Sequence, residues 1–239
     1  MVPQNSATPH PEPLVDVIFP CLNEEQALAQ VLSRLPEGYR AIVVDNGSTD
    51  ASAQIATDAG ALVVTENRRG FGSAAHAGLL AATAPIVAFC DADASMDPQE
   101  LPRLIALVSG GEAQLALGRR RPTSRGAWPL HARLANRALA VLMQRATHYQ
   151  LRDLGPMRAA RRTDLLQLQL QDRRSGYPLE MVLAASSASW SVAEIDVSYA
   201  PRVGKSKVTG TLRGTVVAVL DMSRLLRQRR TTAPGAVRS

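Results

Sequence analysis

Residues 86–93, with the sequence IVAFCDAD, decide the interpretation of the fold. The apolar run Ile86–Cys90 predicts a short buried strand, and Asp91 and Asp93 follow at its carboxyl end. Residues two apart in extended backbone project to the same side, so both carboxylates face one space. They repel each other unless a cation or a proton intervenes. This strand end therefore predicts a divalent-cation site, although aspartates at strand ends also occur in plain turns.

Short apolar runs alternate with helical patterns upstream of this strand. Such alternation predicts a mostly parallel sheet with right-handed crossovers, in which ligands bind beyond the carboxyl ends of the strands. The polar clusters of this half fall at those ends. The predicted strands are Val15–Phe19, Ala41–Val44, Ala61–Val64 and Ile86–Cys90, and the predicted helices are Glu24–Arg34, Ala51–Ala59 and Ser73–Ala82.

The second half of the chain, residues 119–230, is less regular, and we interpret it as part of a single domain over residues 14–230. Residues 14–118 form the other half of that domain, and residues 1–13 and 231–239 are predicted to be a disordered leader and tail. The remaining predicted strands are Gln114–Leu117 and Val192–Tyr199, and the remaining predicted helices are His131–Ala146, Arg161–Gln169, Leu179–Ser187 and Leu212–Arg230.

Charge divides the chain into two unlike halves. Residues 1–118 carry 5 basic and 14 acidic side chains, whereas residues 119–239 carry 22 basic and 7 acidic ones. The acidic half suits a cation, and the basic half suits phosphates, nucleic acid or a membrane surface. Aromatic residues make up only 4%, which disfavours a surface for single-stranded nucleic acid. No Cys/His cluster has zinc-ligand spacing, and Cys21 and Cys90 are expected in the core.

Two polar turns accompany the acidic pair. Residues 45–50, DNGSTD, predict a turn with a helix cap, and Asp45 is placed to accept a hydrogen bond from a nucleotide base. Residues 67–72, NRRGFG, predict close backbone approach with cations for a phosphate. No glycine fingerprint follows the first strand, so a dinucleotide oxidoreductase is disfavoured.

Three motifs resemble, in order and spacing, those of family 2 glycosyltransferases with the GT-A fold. They are PCLNEE at residues 20–25, VVDNGSTD at 43–50 and DAD at 91–93; the family motifs read P-x-x-N-E-E, V-D-D-G-S-T-D and D-A-D. Three later stretches are similar to the polyprenyl-phosphate sugar transferase branch, which includes dolichyl-phosphate mannosyltransferase. They are DLGPMR at 153–158, YPLEM at 177–181 and PRVGKSK at 201–207.

The resemblance implies a role for each matching residue. The residues that match donor-binding positions are Pro20, Leu22, Glu24, Asp45, Arg68 and Ala92. Those that match the site of a bound Mg²⁺ or Mn²⁺ are Asp91 and Asp93. Catalysis near the sugar carbon falls to Asp153 and Glu180, and phosphate or acceptor contacts to Arg119, Arg133, Arg202, Lys205 and Lys207. Two departures stand out. Asn46 replaces the usual second aspartate, and residues 154–157, LGPM, replace the common Thr/Ser-Gly-Phe run.

The resulting expectation is an inverting, metal-dependent hexosyltransferase that uses a UDP- or GDP-sugar and a polyprenyl phosphate acceptor. It would be cytoplasmic, or peripheral at the inner face of the membrane, with no nucleic acid as partner. Three alternatives stay open. They are transfer to a soluble hydroxyl acceptor, a nucleotidyltransferase with the same carboxylate chemistry, and a non-catalytic basic binding module.

Overall fold

The computed structural model describes residues 14–124, 127–147 and 149–204. Their strands are β1 (Val15–Cys21), β2 (Tyr39–Asp45), β3 (Leu62–Thr65), β4 (Ile86–Phe89), β5 (Leu115–Pro122), β6 (Arg158–Arg161) and β7 (Val192–Tyr199). Their α-helices are α1 (Glu25–Ser33), α2 (Ser52–Asp58), α3 (Phe71–Ala81), α4 (Leu101–Ser109), α5 (Leu130–Thr147), α6 (Arg162–Gln167) and α7 (Tyr177–Ser187). The predicted leader 1–13, the final helix Leu212–Arg230 and the tail 231–239 lie outside this part of the chain.

The strands form one mixed sheet in the order β3-β2-β1-β4-β6-β5-β7. Strand β6 runs antiparallel to β4 and β5, whereas the other neighbouring strands pair in parallel. The carboxyl ends of all strands except β6 therefore lie along one edge of the sheet. The parallel N-terminal half predicted from the apolar runs is confirmed.

Helices cover both faces of the sheet because its central strands are apolar on both sides. Along β1, Ile18 packs into a cluster with α3, α5 and α7, whereas Val17 and Phe19 pack into a second cluster with α1 and α4. All three side chains are fully buried. Burial of such a side chain stabilises the fold by roughly 1.5–3 kcal/mol, so the alternation along each strand fixes both layers.

One strand of the structure was not predicted. Strand β6 has the sequence RAAR, which lacks the apolar run that marks a buried strand. It is held in the sheet by its pairing with β4 and β5. The sequence Asp97-Pro98 predicts the start of a helix capped by Asp97, and the structure has a 3-10 turn at Pro98–Glu100 with that cap, followed by α4. No described helix combines the length and apolar character that crossing a bilayer requires.

Candidate active site

The ends of β1, β2 and β4 come together at the carboxyl edge of the sheet. Cys21 lies opposite Asp45 in the β1–β2 register, and Ile18 lies opposite Phe89 in the β1–β4 register. The residues that follow these strands therefore surround one space. This arrangement brings together the three motifs that the sequence analysis singled out.

The loops after β1 and β2 are bonded directly to each other. The backbone N–H of Asn23 donates to Ser48 Oγ (2.9 Å), and that of Thr49 donates to Asn23 Oδ1 (2.7 Å). Asn23 has a φ of 53°, a left-handed conformation that asparagine tolerates better than most residues. The backbone N–H of Glu24 donates to Ser52 Oγ (2.9 Å), so the start of α1 is tied to the start of α2. The two motifs form one rigid corner, with Pro20 and Leu22 half-buried at its edge.

Asp45 and Asn46 lie at the end of β2, and their side chains make different contacts. Asp45 Oδ1 accepts from the backbone N–H of Ser48 (3.0 Å), which fixes the orientation of the carboxylate. Asn46 is buried, and its Nδ2 donates to the carbonyl oxygens of Glu66 and Arg68, both at 2.8 Å. Its Oδ1 accepts from the Gly70 N–H (2.8 Å). An aspartate cannot donate those two bonds, so Asn46 fits the loop after β3 and holds Arg68 beside the corner.

The acidic pair lies directly after β4. Asp93 is buried, and its Oδ1 accepts from the Ser95 N–H (2.9 Å) in a turn where Ala94 has a φ of 59°. Burial, and after it the carboxylate of Asp93, raise the pKa of Asp91 to about 7, while Arg120 and Arg202 oppose that rise. Ala92 between them is buried. The two carboxylates are therefore close enough to compete for one positive charge.

Arg202 closes the acidic pair from the far end of the described chain. Its Nη1 lies 3.3 Å from Asp93 Oδ2, and its Nη2 lies 3.0 Å from Glu24 Oε1. The backbone supports this position, because the Val203 N–H donates to the Asp93 carbonyl (2.9 Å). The Nε of Arg202 is buried and finds no acceptor among the described residues. The structure thus places Arg202, Glu24 and Asp93 together, whereas Lys205 and Lys207 lie outside the described residues.

Asp153 is engaged by an arginine that the sequence analysis did not single out. Its Oδ2 accepts from the backbone N–H and Nε of Arg120, both at 2.9 Å, and its Oδ1 accepts from Arg120 Nη2 (2.6 Å). Arg120 also lies over the ring of Trp128, 4.0 Å from its centroid. Asp153 is 1% exposed, so this is a buried, bidentate ion pair.

Arg119 points away from that pair because neighbouring residues of a strand face opposite sides. It pairs with Asp196, which also pairs with Arg121 at 2.7 Å, and it lies 4.0 Å from Glu194 Oε2. Alternation along β5 predicts that Arg119 and Arg120 face opposite sides of the sheet. Which partners each arginine meets depends on the register of β5 against β7, which the sequence does not reveal. Of Arg119 and Arg120, only Arg120 joins Arg202 in lowering the pKa of Asp91 by its charge.

Two further predicted site residues are placed elsewhere. Glu180 accepts from the backbone N–H groups of Gln171 (2.9 and 3.0 Å) and Asp172 (2.7 Å), so both its oxygens hold the turn before α7. Arg133 is exposed on α5. Among the described residues, the structure shows no hydrogen bond or ion pair from Glu180 or Arg133 to Asp91 or Asp93.

The glycine-rich stretch at the start of α3 contacts another part of the chain and does not offer the phosphate contact that was predicted. Gly72 and Ser73 donate their backbone N–H groups to the carbonyl oxygens of Arg174 (3.0 Å) and Arg173 (2.9 Å). A Cβ on Gly70, whose φ is 140°, would lie 2.2 Å from the Arg173 carbonyl oxygen. The glycines therefore allow the chain itself to approach, and these amide donors are already used.

The donor set of the acidic pair fits a hard divalent cation. Mg²⁺ commonly takes one or two carboxylates and completes its shell with water and substrate phosphate oxygens. Asp91 and Asp93 supply that number of carboxylates, and the described residues contain no group of three or more acidic, His or Cys side chains that could enclose a metal alone. The site thus suits a cation shared with a phosphate-bearing substrate.

A mostly parallel sheet with an acidic pair at its edge, closed by arginines from the following half, is the arrangement expected of a GT-A glycosyltransferase. The chain belongs to glycosyl transferase family 2, whose family model matches residues 16–168. The expectation of a glycosyltransferase is confirmed, and the nucleotidyltransferase and non-catalytic alternatives are wrong.

Relatives of known name span most of the chain. An uncharacterized glycosyltransferase of Mycobacterium tuberculosis strain H37Rv is 52% identical over 213 residues, 89% of this chain and 97% of the relative. A dolichyl-phosphate hexose transferase of Haloferax volcanii is 27% identical over 84% of this chain and 89% of its own length. An undecaprenyl-phosphate 4-deoxy-4-formamido-L-arabinose transferase of Proteus mirabilis is 31% identical over 81% of this chain and 62% of its own length.

Solved structures share the fold. Glucosyl-3-phosphoglycerate synthase from Mycobacterium tuberculosis, in complex with Mg²⁺ and uridine diphosphate, superposes with a TM-score of 0.74 at 24% identity, over 93% of this chain and 80% of that one. The same enzyme with Mn²⁺, uridine diphosphate and glucosyl-3-phosphoglycerate gives a TM-score of 0.71. The predicted GT-A fold is confirmed.

Proposed function

We propose that this protein transfers a hexose, with inversion, from a UDP- or GDP-sugar to a polyprenyl phosphate in a reaction that needs Mg²⁺ or Mn²⁺. The observation that carries the proposal is the meeting of the two halves: Asp91 and Asp93 from the acidic half, and Arg120 and Arg202 from the basic half, at one strand edge. Carboxylates hold the cation, and arginines face the phosphates. Such charge placement stabilises a departing nucleoside diphosphate.

The donor lies against the corner formed by β1 and β2. Asp45, oriented by Ser48, accepts from a base N–H, and the half-buried Pro20 and Leu22 form the wall beside it. Glu24 and Ala92 border the ribose and diphosphate, and Arg68 closes the far side through the Asn46 bonds. Glucosyl-3-phosphoglycerate synthase, which shares the fold, was solved with Mg²⁺ and uridine diphosphate, so uridine is the base that we propose to test first.

Asp91 and Asp93 would hold the cation, which supplies a Lewis acid that neutralises charge on the leaving diphosphate. Binding the donor requires Arg202 to exchange at least its Asp93 contact for a phosphate oxygen, and its unpartnered Nε is the donor atom ready for that bond. Arg120 stays fixed by Asp153 and Trp128 and presents a permanent positive charge to Asp91. Arg119, Arg133, Lys205 and Lys207 are proposed as outer contacts to acceptor phosphate.

The state of the proposed bases favours a phosphate acceptor over an alcohol. A phosphate oxygen is already a nucleophile at neutral pH, whereas an alcohol needs a base to take its proton. Asp153 has both oxygens bound to Arg120, and Glu180 has both bound to backbone N–H groups. Neither is poised to accept a proton, so we assign Asp153 a positioning role. The names of two polyprenyl-type relatives support the same acceptor.

A soluble acceptor is the second candidate, because the glucosyl-3-phosphoglycerate synthase superposes over 93% of this chain. At 23% identity that likeness establishes the fold alone. Under this alternative Asp153 would have to leave Arg120 and act as the base.

Parallel assays separate the two. The protein is incubated with UDP-[¹⁴C]glucose or GDP-[¹⁴C]mannose, Mn²⁺, and either undecaprenyl phosphate in detergent or 3-phosphoglycerate. We expect label in the organic phase with the lipid, and Asp153→Asn to retain the pH profile of the wild type. Label found only in a water-soluble product, together with loss of the acidic limb of that profile in Asp153→Asn, contradicts the lipid acceptor.

A further inference from the structure

Helix α5 carries a stripe of apolar side chains on its outward face. Leu130, Leu134 and Val141 are 70%, 58% and 42% exposed, and they recur at the intervals of a single helix face. Leu142, 45% exposed, lies beside them. Four of the seven exposed large hydrophobic side chains in the described residues are therefore on this one helix. Single exposed leucines need no explanation, but a continuous stripe indicates a contact surface.

The charge of α5 limits what can cover the stripe. The helix contains His131 and the exposed arginines Arg133, Arg137 and Arg145, and no acidic residue. A second copy of this chain would bring the same cations against it. Residues 205–239 carry 8 basic side chains and 1 acidic one, so they would add like charge to this helix. Both occupants are therefore electrostatically disfavoured.

An anionic lipid surface satisfies both properties of the helix. Apolar side chains enter the boundary between headgroups and acyl chains, and arginines beside them extend their charged ends to the phosphates. Each arginine near such a surface adds to the attraction. Leucine and arginine on one face are the combination that an interfacial helix requires.

The inward face of α5 borders the candidate active site. Asn136 Oδ1 accepts from Arg120 Nη2 (3.3 Å) and from the Leu154 N–H (3.3 Å). Asn136 Nδ2 donates to the Arg152 carbonyl oxygen (3.4 Å). A membrane under the outward face would thus lie one helix diameter from the Arg120–Asp153 pair. This distance, about 10–12 Å with side chains, suits a lipid phosphate lifted slightly from its surface.

We propose that the outward face of α5 (Leu130, Leu134, Val141 and Leu142, with Arg137 and Arg145) docks on an anionic membrane and presents the acceptor side of the site to lipid. This inference rests on the proposed polyprenyl phosphate acceptor.

The test uses the full-length protein and co-sedimentation with vesicles of phosphatidylcholine and phosphatidylglycerol. Leu134→Glu, alone and together with Val141→Glu, is compared with Leu80→Glu, which matches Leu134→Glu in charge and in the exposure of the leucine (58%) but lies on α3. We expect the paired variant to lose vesicle affinity by at least about tenfold, and Leu80→Glu to resemble the wild type. Leu134→Phe with Val141→Leu should retain binding. Arg137→Gln with Arg145→Gln should weaken binding to anionic vesicles only.

Activity separates failure of this inference from failure of the proposed function. The paired glutamate variant should keep its activity toward detergent-solubilised undecaprenyl phosphate and lose it toward the same lipid in vesicles. Equal vesicle binding by wild type and paired variant, or no binding by either, overturns the α5 surface. So does a change from dimer to monomer in light scattering with unchanged vesicle binding, which would make the stripe an interface between copies. Absence of transfer to the lipid in every format, with α5-dependent vesicle binding intact, overturns only the acceptor.

Discussion

The two halves of the described chain contribute to the same site through different kinds of contact. In residues 14–118, side chains at the strand ends bond mainly to backbone within the same half, as Asp45 does to Ser48 and Asn46 to Glu66. In residues 119–204, the key side chains are charged and paired over long separations, as Arg120 is to Asp153 and Arg202 is to Glu24. The first half supplies a preformed corner, and the second half supplies positive charge that must be held in place. Substitutions should therefore behave differently in the two halves.

The largest effect is expected at the Arg120–Asp153 pair. Arg120→Met leaves the buried carboxylate of Asp153 without its partner, and removal of one member of a buried pair costs about 3–5 kcal/mol in the free energy of unfolding. Urea denaturation measures it. The double variant Arg120→Met, Asp153→Leu should recover most of that loss, because both charges are gone. A single variant as stable as wild type would show that the pair is not a structural part of the second half.

Arg202 is expected to matter for catalysis more than for stability. Arg202→Gln removes the cation that faces both Glu24 and Asp93, and we expect kcat/KM to fall by about 10²-fold, or roughly 2.7 kcal/mol. The thermal unfolding temperature should fall less than in Arg120→Met, since the side chain of Arg202 is the more exposed of the two arginines. Arg121→Gln, an exposed arginine paired only with Asp196 in the displayed contacts, is the matched control. If both variants lose activity equally, general charge and not the position of Arg202 is responsible.

A smaller effect should follow from Asn46→Asp, which tests the rigid corner of the first half. The new carboxylate cannot donate to the carbonyl oxygens of Glu66 and Arg68, and loss of such bonds costs roughly 1–3 kcal/mol. We expect a raised KM for the donor with kcat little changed, because the loop that carries Arg68 is loosened. Steady-state kinetics with varied donor check it. A lowered kcat at constant KM would place Asn46 in the chemical step instead.

A pH dependence of metal-free stability is expected from the acidic pair. Burial and Asp93 raise the pKa of Asp91 to about 7, so the folded protein binds more protons than the unfolded chain above the ordinary aspartate pKa. Stability therefore falls as pH rises from about 4 to about 7. Asp91→Asn should flatten this slope in chelator-treated protein, and Mn²⁺ should offset it in the wild type. An identical slope in wild type and Asp91→Asn would contradict the assignment.

The first half was predictable because its signals are local. Apolar runs such as Val15–Cys21 report buried parallel strands, and the turn chemistry at residues 45–50 lies within a few residues of the strand it ends. Cys21 and Cys90 are buried and free, as expected.

The second half depends on partners that sequence does not reveal. Strand β6 is ordered by its neighbours, and the choice between Arg119 and Arg120 depends on strand register. Glu180, which resembles a family site residue, is used by a turn at residues 171 and 172. These are long-range pairings, and no local pattern reports them.

The central claim is that Asp91 and Asp93 hold the cation that binds the donor diphosphate. Calorimetric titration of UDP into the protein, with and without Mn²⁺, tests it most directly in the wild type, Asp93→Asn and the control Asp97→Asn, a helix-cap change close by. We predict that Mn²⁺ increases UDP affinity at least about tenfold in wild type and Asp97→Asn, and that Asp93→Asn loses this increase while remaining folded. An Mn²⁺-dependent increase of the same size in Asp93→Asn would contradict the account.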